Sequence, residues 1–148
     1  MVRLIMGVKG SGKTKQLIEL INAAAKDEAG NVVCIEPKRD MSYNIHYNIR
    51  LIDAQEYDLH SYEMFRGFIS GLYAGNYDIS QVFIDNLCKT VGSDVDGETE
   101  KFLNWLVRCA HQHPVHRYHQ RRCCYRYRWD AKVPVNKHTS DIESAGLF

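Results

Sequence analysis

Apolar positions run along the chain in two rhythms. Val2, Leu4, Ile5 and Met6 make a short run of strand length, after which Leu17, Ile18, Ile21, Ala24 and Ala25 recur at helical spacing. Lys15, Gln16, Glu19 and Asn22 fall on the other side of that predicted helix, which spans 15–26 and ends at Gly30-Asn31, glycine being suited to the left-handed turn there. Val32, Val33, Cys34 and Ile35 are apolar at successive positions, the mark of a parallel strand buried on both faces, and Pro37 stops it. Strand, loop, helix and strand form a βαβ unit, whose crossover is right-handed.

Residues 38–47 are polar and aromatic and read as a loop at the top of the sheet, and Ile49–Asp53 reads as a short third strand. Ser61 is placed to cap a second helix, on which Met64, Phe65, Phe68, Ile69 and Leu72 form one core-facing stripe before Gly75-Asn76 closes it. Gln81–Asp85 is an apolar strand running into an aspartate. Asp96 opens a third helix with acids in its first turn and Phe102, Leu103 and Leu106 on its apolar face. This order predicts a three-layer α/β domain with a mostly parallel sheet. The 148 residues suffice for one such core. At about residue 107 the periodicity stops, dividing the chain into a domain over 1–106 and an atypical tail over 107–148.

A formal net charge of +1 gives no general argument for nucleic acid or an acidic membrane as partner. No apolar run approaches a bilayer span, and the N-terminus lacks the basic and apolar regions of a secretory signal, which points to the cytoplasm and no membrane partner. Cys34 and Cys88 lie in apolar surroundings and read as small core residues instead of a disulfide framework.

The candidate chemistry sits between the first strand and the first helix. Gly7, Val8, Lys9, Gly10, Ser11, Gly12, Lys13 and Thr14 fill every fixed position of G-x-x-x-x-G-K-[ST]. Glycines let successive N–H groups converge on one point, and the helix N-terminus adds its partial positive charge. In such a loop Lys13 reaches the β- and γ-phosphates of a nucleoside triphosphate, and the Thr14 hydroxyl is placed for Mg²⁺. Asp85, at the end of an apolar strand, is the second expected metal ligand.

Gly7–Thr14 followed by Val82-Phe83-Ile84-Asp85 resembles the P-loop NTPase superfamily over residues 1 to about 106. Within it the chain is similar to small bacterial ATP-binding proteins of unassigned role, and less so to type II thymidine kinases, whose Lys-Pro and following Asp are partly echoed by Ile35–Asp40. Those kinases place a catalytic Glu just after the second signature and carry paired CxxC zinc ligands; this chain has Asn86 there and no CxxC pair. Asn86 has no titratable group to polarise water. RecA-like relatives place that glutamate at the end of a neighbouring strand, a position that Glu36 matches; a solvated strand-end Glu is the plain alternative. No Asn-Lys-x-Asp guanine-reading motif is present.

Residues 107–148 concentrate Cys109, His111, His113, His116, His119, Cys123 and Cys124 among many arginines and tyrosines. Three readings stand: a zinc site, whose spacing fits none of the usual signatures; a basic aromatic arm for nucleic acid; or a segment translated in the wrong frame. Read one base later, the His and Tyr codons at 113, 116, 118 and 119 begin ACx or ATx, the codons of Thr and Ile, and the Cys123 and Cys124 codons become Ala or Val. That is a β-branched strand of the kind a parallel sheet needs after its third helix, so the shifted frame is the preferred account. The sheet is then expected to lack its last strand or strands.

The resemblance implies a small Mg²⁺-dependent ATPase with ATP and Mg²⁺ as cofactors. Lys13 and the loop hold phosphates, Thr14 and Asp85 the metal, and Lys13 and Glu36 act in catalysis. Two alternatives remain open: a nucleoside or small-molecule kinase using residues 38–60 as an acceptor pocket, and a nucleotide-dependent binding module with little turnover. Beyond the triphosphate, a protein partner or oligomer stays undefined, and nucleic acid is expected only if the tail is genuine.

Overall fold

A computed structural model describes residues 2–7, 10–27, 30–38, 41, 43–92, 97–112, 122–128 and 142–144. The chain forms a mixed α/β domain. Strands β1 (Val2–Gly7), β2 (Asn31–Glu36), β3 (Arg50–Asp53), β4 (Ile79–Ile84), β5 (Arg122–Arg128) and β6 (Ile142–Ser144) build a six-stranded sheet in the order β3-β2-β4-β5-β1-β6. All five strand pairings are parallel. Parallel pairing turns every strand's C-terminus to the same edge of the sheet, and that edge carries the candidate site.

Helices α1 (Lys13–Asp27), α2 (Tyr62–Gly75), α3 (Leu87–Val91) and α4 (Gly97–Gln112) cover the sheet. Alternation along the strands splits the core in two. Val32 and Cys34 of β2 and Phe83 of β4 join Ile5, with Leu17 and Ile21 of α1, on one face. Val33 and Ile35 of β2 and Val82 and Ile84 of β4 meet Phe65 and Ile69 of α2 and Phe102 and Leu106 of α4 on the other. All six residues of β4 are buried, as expected of a strand covered on both sides. The Tyr62 hydroxyl and Thr99 Oγ1, 2.6 Å apart and buried, tie α2 to the start of α4. No helix among the described residues is long and apolar enough to cross a membrane.

Several sequence expectations are refined. Ser61 caps α2 by accepting from the Met64 N–H at 3.2 Å. Met64, assigned to the core stripe, is instead 47% exposed, because the buried arc of α2 centres on Phe65 and Ile69. The short α3 was not anticipated; Asn86 opens it in the left-handed region, φ 47°.

The expectation of a sheet short of its last strands is corrected. β5 lies between β4 and β1, and β6 lies outside β1. Without β5 two facing rows of backbone donors and acceptors would go unsatisfied, and the tail's backbone supplies the partner. The sequence it brings is unusual for that position. Arg122 pairs in register with Gln81, Arg126 with Ile5 and Arg128 with Gly7, so three of the seven residues of a strand flanked on both sides are arginines. Parallel sheets carry Val, Ile and Leu there. The tail candidates His113, His116 and His119 lie outside the described residues.

Candidate functional site

β1 ends at Gly7, and α1 starts at Lys13. Val8 and Lys9 lie outside the described residues. The turn between strand and helix depends on two glycines with positive φ, Gly10 at 85° and Gly12 at 79°. An L-residue would hold either conformation only at a cost of about 1–2 kcal/mol. A Cβ built on either glycine meets nothing within 4 Å, so the space around the turn is open. Helical bonding begins at once, Gln16 N–H donating to Gly12 O at 3.0 Å. Ser11, Gly12 and Thr14 are exposed and Lys13 is half-buried, its Nζ donating to Ser11 Oγ at 3.4 Å. The N-terminus of α1 is thus open at Ser11, Gly12 and Thr14, an arrangement that favours an anion.

Two carboxylates share the same edge. Cys34 pairs with Phe83 and Ile35 with Ile84, so Glu36 and Asp85 follow as the next residues of adjacent strands. The register is extended by one bond, Asp85 N–H donating to Ile35 O at 2.8 Å. Both acids are buried, Glu36 at 1% exposure and Asp85 at 7%. Their charge is felt one layer down: burial pushes the Cys34 thiol well above its ordinary value, and the Glu36 and Asp85 carboxylates push it further. Cys34 is therefore a neutral core thiol. Glu36 Oε2 accepts from the Met41 N–H at 3.0 Å in a buried hydrogen bond. Thr90 Oγ1 donates to Asp85 O at 3.4 Å and to Asn86 O at 3.3 Å, holding the turn that follows Asp85.

Strand order sets the relation between the two halves of the site. β5 separates β1 from β4, so Asp85 follows a strand two places from β1, about 10 Å away by strand spacing, and Glu36 ends a strand three places away. The glycines of the β1–α1 turn and the two acids therefore share one edge of the sheet, separated by β5. Among the described residues no three His, Cys, Asp or Glu gather as a metal cage. The donor set present, one hydroxyl at Thr14 and a carboxylate at Asp85, fits a hard cation that keeps most of its ligands from water and phosphate, as Mg²⁺ does.

Sequence reasoning missed three contributors: the Met41 N–H, Thr90, and Asn22, whose carboxamide reaches the β2–β3 connection. Backbone donors leave no residue-type signal. Thr90 lies four residues after Asn86, a spacing that is legible only once α3 is known. Comparison with protein-family models gives no match, and comparison with curated protein sequences gives none either.

Proposed function

We propose that this domain is a P-loop NTPase of three-layer architecture that binds Mg²⁺-ATP and hydrolyses it. The observation that carries the reading is the pair of positive-φ glycines ending at the N-terminus of α1, on the same sheet edge as the buried acids Asp85 and Glu36. The loop amides and the α1 N-terminus bind the phosphates, and Lys13 neutralises charge that develops on the β- and γ-phosphates. Thr14 and Asp85 would hold Mg²⁺, which supplies charge neutralisation and orients the phosphates. Glu36 takes the proton of an attacking water. A buried carboxylate with one oxygen fixed by a backbone N–H is oriented for that task.

The hydrolytic reading is favoured over the kinase and binding-module alternatives by the placement of Glu36. It ends the strand beside the Asp85 strand and is buried, whereas a solvated strand-end Glu would be exposed. The test is phosphate release from Mg²⁺-ATP with no acceptor added, by wild type and Glu36→Gln. Release that falls at least about 100-fold in Glu36→Gln with ATP affinity retained supports hydrolysis through Glu36. Release that appears only when a nucleoside or other acceptor is added would overturn it in favour of a kinase.

A further inference from the structure

We infer that Asn22, on the outward side of α1, is a positioning residue for Glu36, acting through the connection between β2 and β3. The inference rests on the assignment of Glu36 as the group that activates water.

The connection leaves β2 at the site edge and returns to start β3 at the opposite edge, because the two strands are parallel. Among its described residues there is no regular helix. Met41 and Ile49 anchor it, 3% and 6% exposed, in the same apolar cluster as Leu17 and Ile21 of α1. Between the anchors it turns twice, Asn44 N–H donating to Met41 O at 2.9 Å and Ile49 N–H to His46 O at 3.0 Å. The outer positions Tyr43 and Tyr47 are 95% and 88% exposed, so they contribute little packing to hold it in place.

Asn22 supplies what packing does not. Its Nδ2 donates to Asn44 O at 2.8 Å, and its Oδ1 accepts from His46 N–H at 2.9 Å. One carboxamide therefore bridges the two turns and fixes them to the helix that begins at the phosphate loop. Met41, at the start of the first turn, is the residue whose N–H holds Glu36 Oε2. The chain of contacts runs from α1 through Asn22, the two turns and Met41 to the carboxylate. Every link is a hydrogen bond of good length. Both of these bonds go to backbone groups of the β2–β3 connection, so the effect of Asn22 falls on how Glu36 is aimed and not on how ATP is held.

The experiment uses the full chain as wild type, Asn22→Ala, Asn22→Asp, Glu36→Gln and the double variant Asn22→Ala/Glu36→Gln. Alanine is favourable at a helical position, so folding of Asn22→Ala is retained. ATP affinity is read from anisotropy of a fluorescent ATP, turnover from phosphate release, and the Met41 amide from hydrogen exchange without nucleotide. Asn22→Ala is expected to lower kcat roughly three- to tenfold with KM unchanged within about twofold, and to speed Met41 amide exchange. Asn22→Asp, which keeps the acceptor for His46 N–H, falls between. In the Glu36→Gln background the Asn22→Ala change causes no further loss, since both act on one step. Full kcat in Asn22→Ala, or the same fractional loss with and without Glu36, overturns the inference while leaving the ATPase reading standing. A wild type that binds no ATP or releases no phosphate overturns that reading, and the inference with it.

Discussion

Two glycine-to-alanine substitutions, at Gly12 and Gly30, add the same methyl group for opposite reasons and are predicted to separate stability from binding. At Gly12 the new Cβ meets nothing within 4 Å, so the only cost is the backbone, held at φ 79°. Left-handed backbone costs an L-residue about 1–2 kcal/mol, and reduced freedom of the unfolded chain offsets about 0.4–1 kcal/mol. The net loss is about 1 kcal/mol, or about 0.5 M in urea midpoint at a slope of about 2 kcal/mol per M. At Gly30 the backbone is unstrained but the space is taken. The added Cβ lies 2.7 Å from Asp78 O, 2.7 Å from Ser80 Cβ and 3.0 Å from Ser80 Oγ. Asp78 O also accepts the Asn31 N–H at 2.8 Å, so it cannot retreat without loosening the start of the β2–β4 pairing. Overpacking of this kind costs about 1–3 kcal/mol. Gly30 lies at the N-terminal ends of the strands, away from the loop, so Gly30→Ala keeps ATP affinity, whereas Gly12→Ala misaims the loop amides and weakens ATP about tenfold. Urea denaturation and fluorescent-ATP anisotropy on the same preparations check both halves. Wild-type ATP affinity in Gly12→Ala, or a Gly30→Ala midpoint equal to wild type, would refute the reasoning.

Other outcomes follow from the same structure. Ser61→Ala removes the acceptor of the Met64 N–H and is expected to cost about 1 kcal/mol in urea denaturation with ATP turnover unchanged at low temperature. Burial, together with the Glu36 and Asp85 carboxylates, holds the folded Cys34 thiol well above its ordinary value of 9.0, so its contribution to stability is full below that pH and is lost as pH rises beyond it. Stability therefore declines above about pH 9 by up to about 1.4 kcal/mol per pH unit, and Cys34→Ala loses that part of the slope. The DNA of the source gene, read in all frames from codon 95 onward, is expected to give a β-branched strand in place of residues 113–120 after one inserted or deleted base near codon 107; intact reading of the present frame in independent copies would contradict this.

Part of the sheet was legible because β2 carries four successive apolar residues, Val32–Ile35, and β4 ends in three, Val82–Ile84. β2 is found where Asn31–Glu36 predicts it, and α2 begins at its Ser61 cap. The order of the strands was not legible, since the 3.6 and 2.0 periods describe faces and not neighbours. Placing Glu36 beside Asp85 required the β2–β4 pairing, which arises from residues 48 or 49 positions apart. Met64 misled because a stripe at helical spacing extends past the arc that the sheet covers. The tail misled in the other direction. Its composition gives no strand signal, yet backbone pairing draws Arg122–Arg128 between β4 and β1. Asn22 reads from sequence as one more polar residue on a solvated helix face; only the path of the β2–β3 connection gives it partners.

The turn between β1 and α1 is proposed to bind the phosphates of Mg²⁺-ATP. Equilibrium binding of fluorescent ATP, with and without Mg²⁺, to wild type and Lys13→Ala tests it most directly. Saturable, Mg²⁺-strengthened binding by wild type that unlabelled ATP displaces is expected, with a loss of at least about tenfold in Lys13→Ala with the fold intact. Equal affinity in the two proteins, or no saturable binding by wild type, would contradict it.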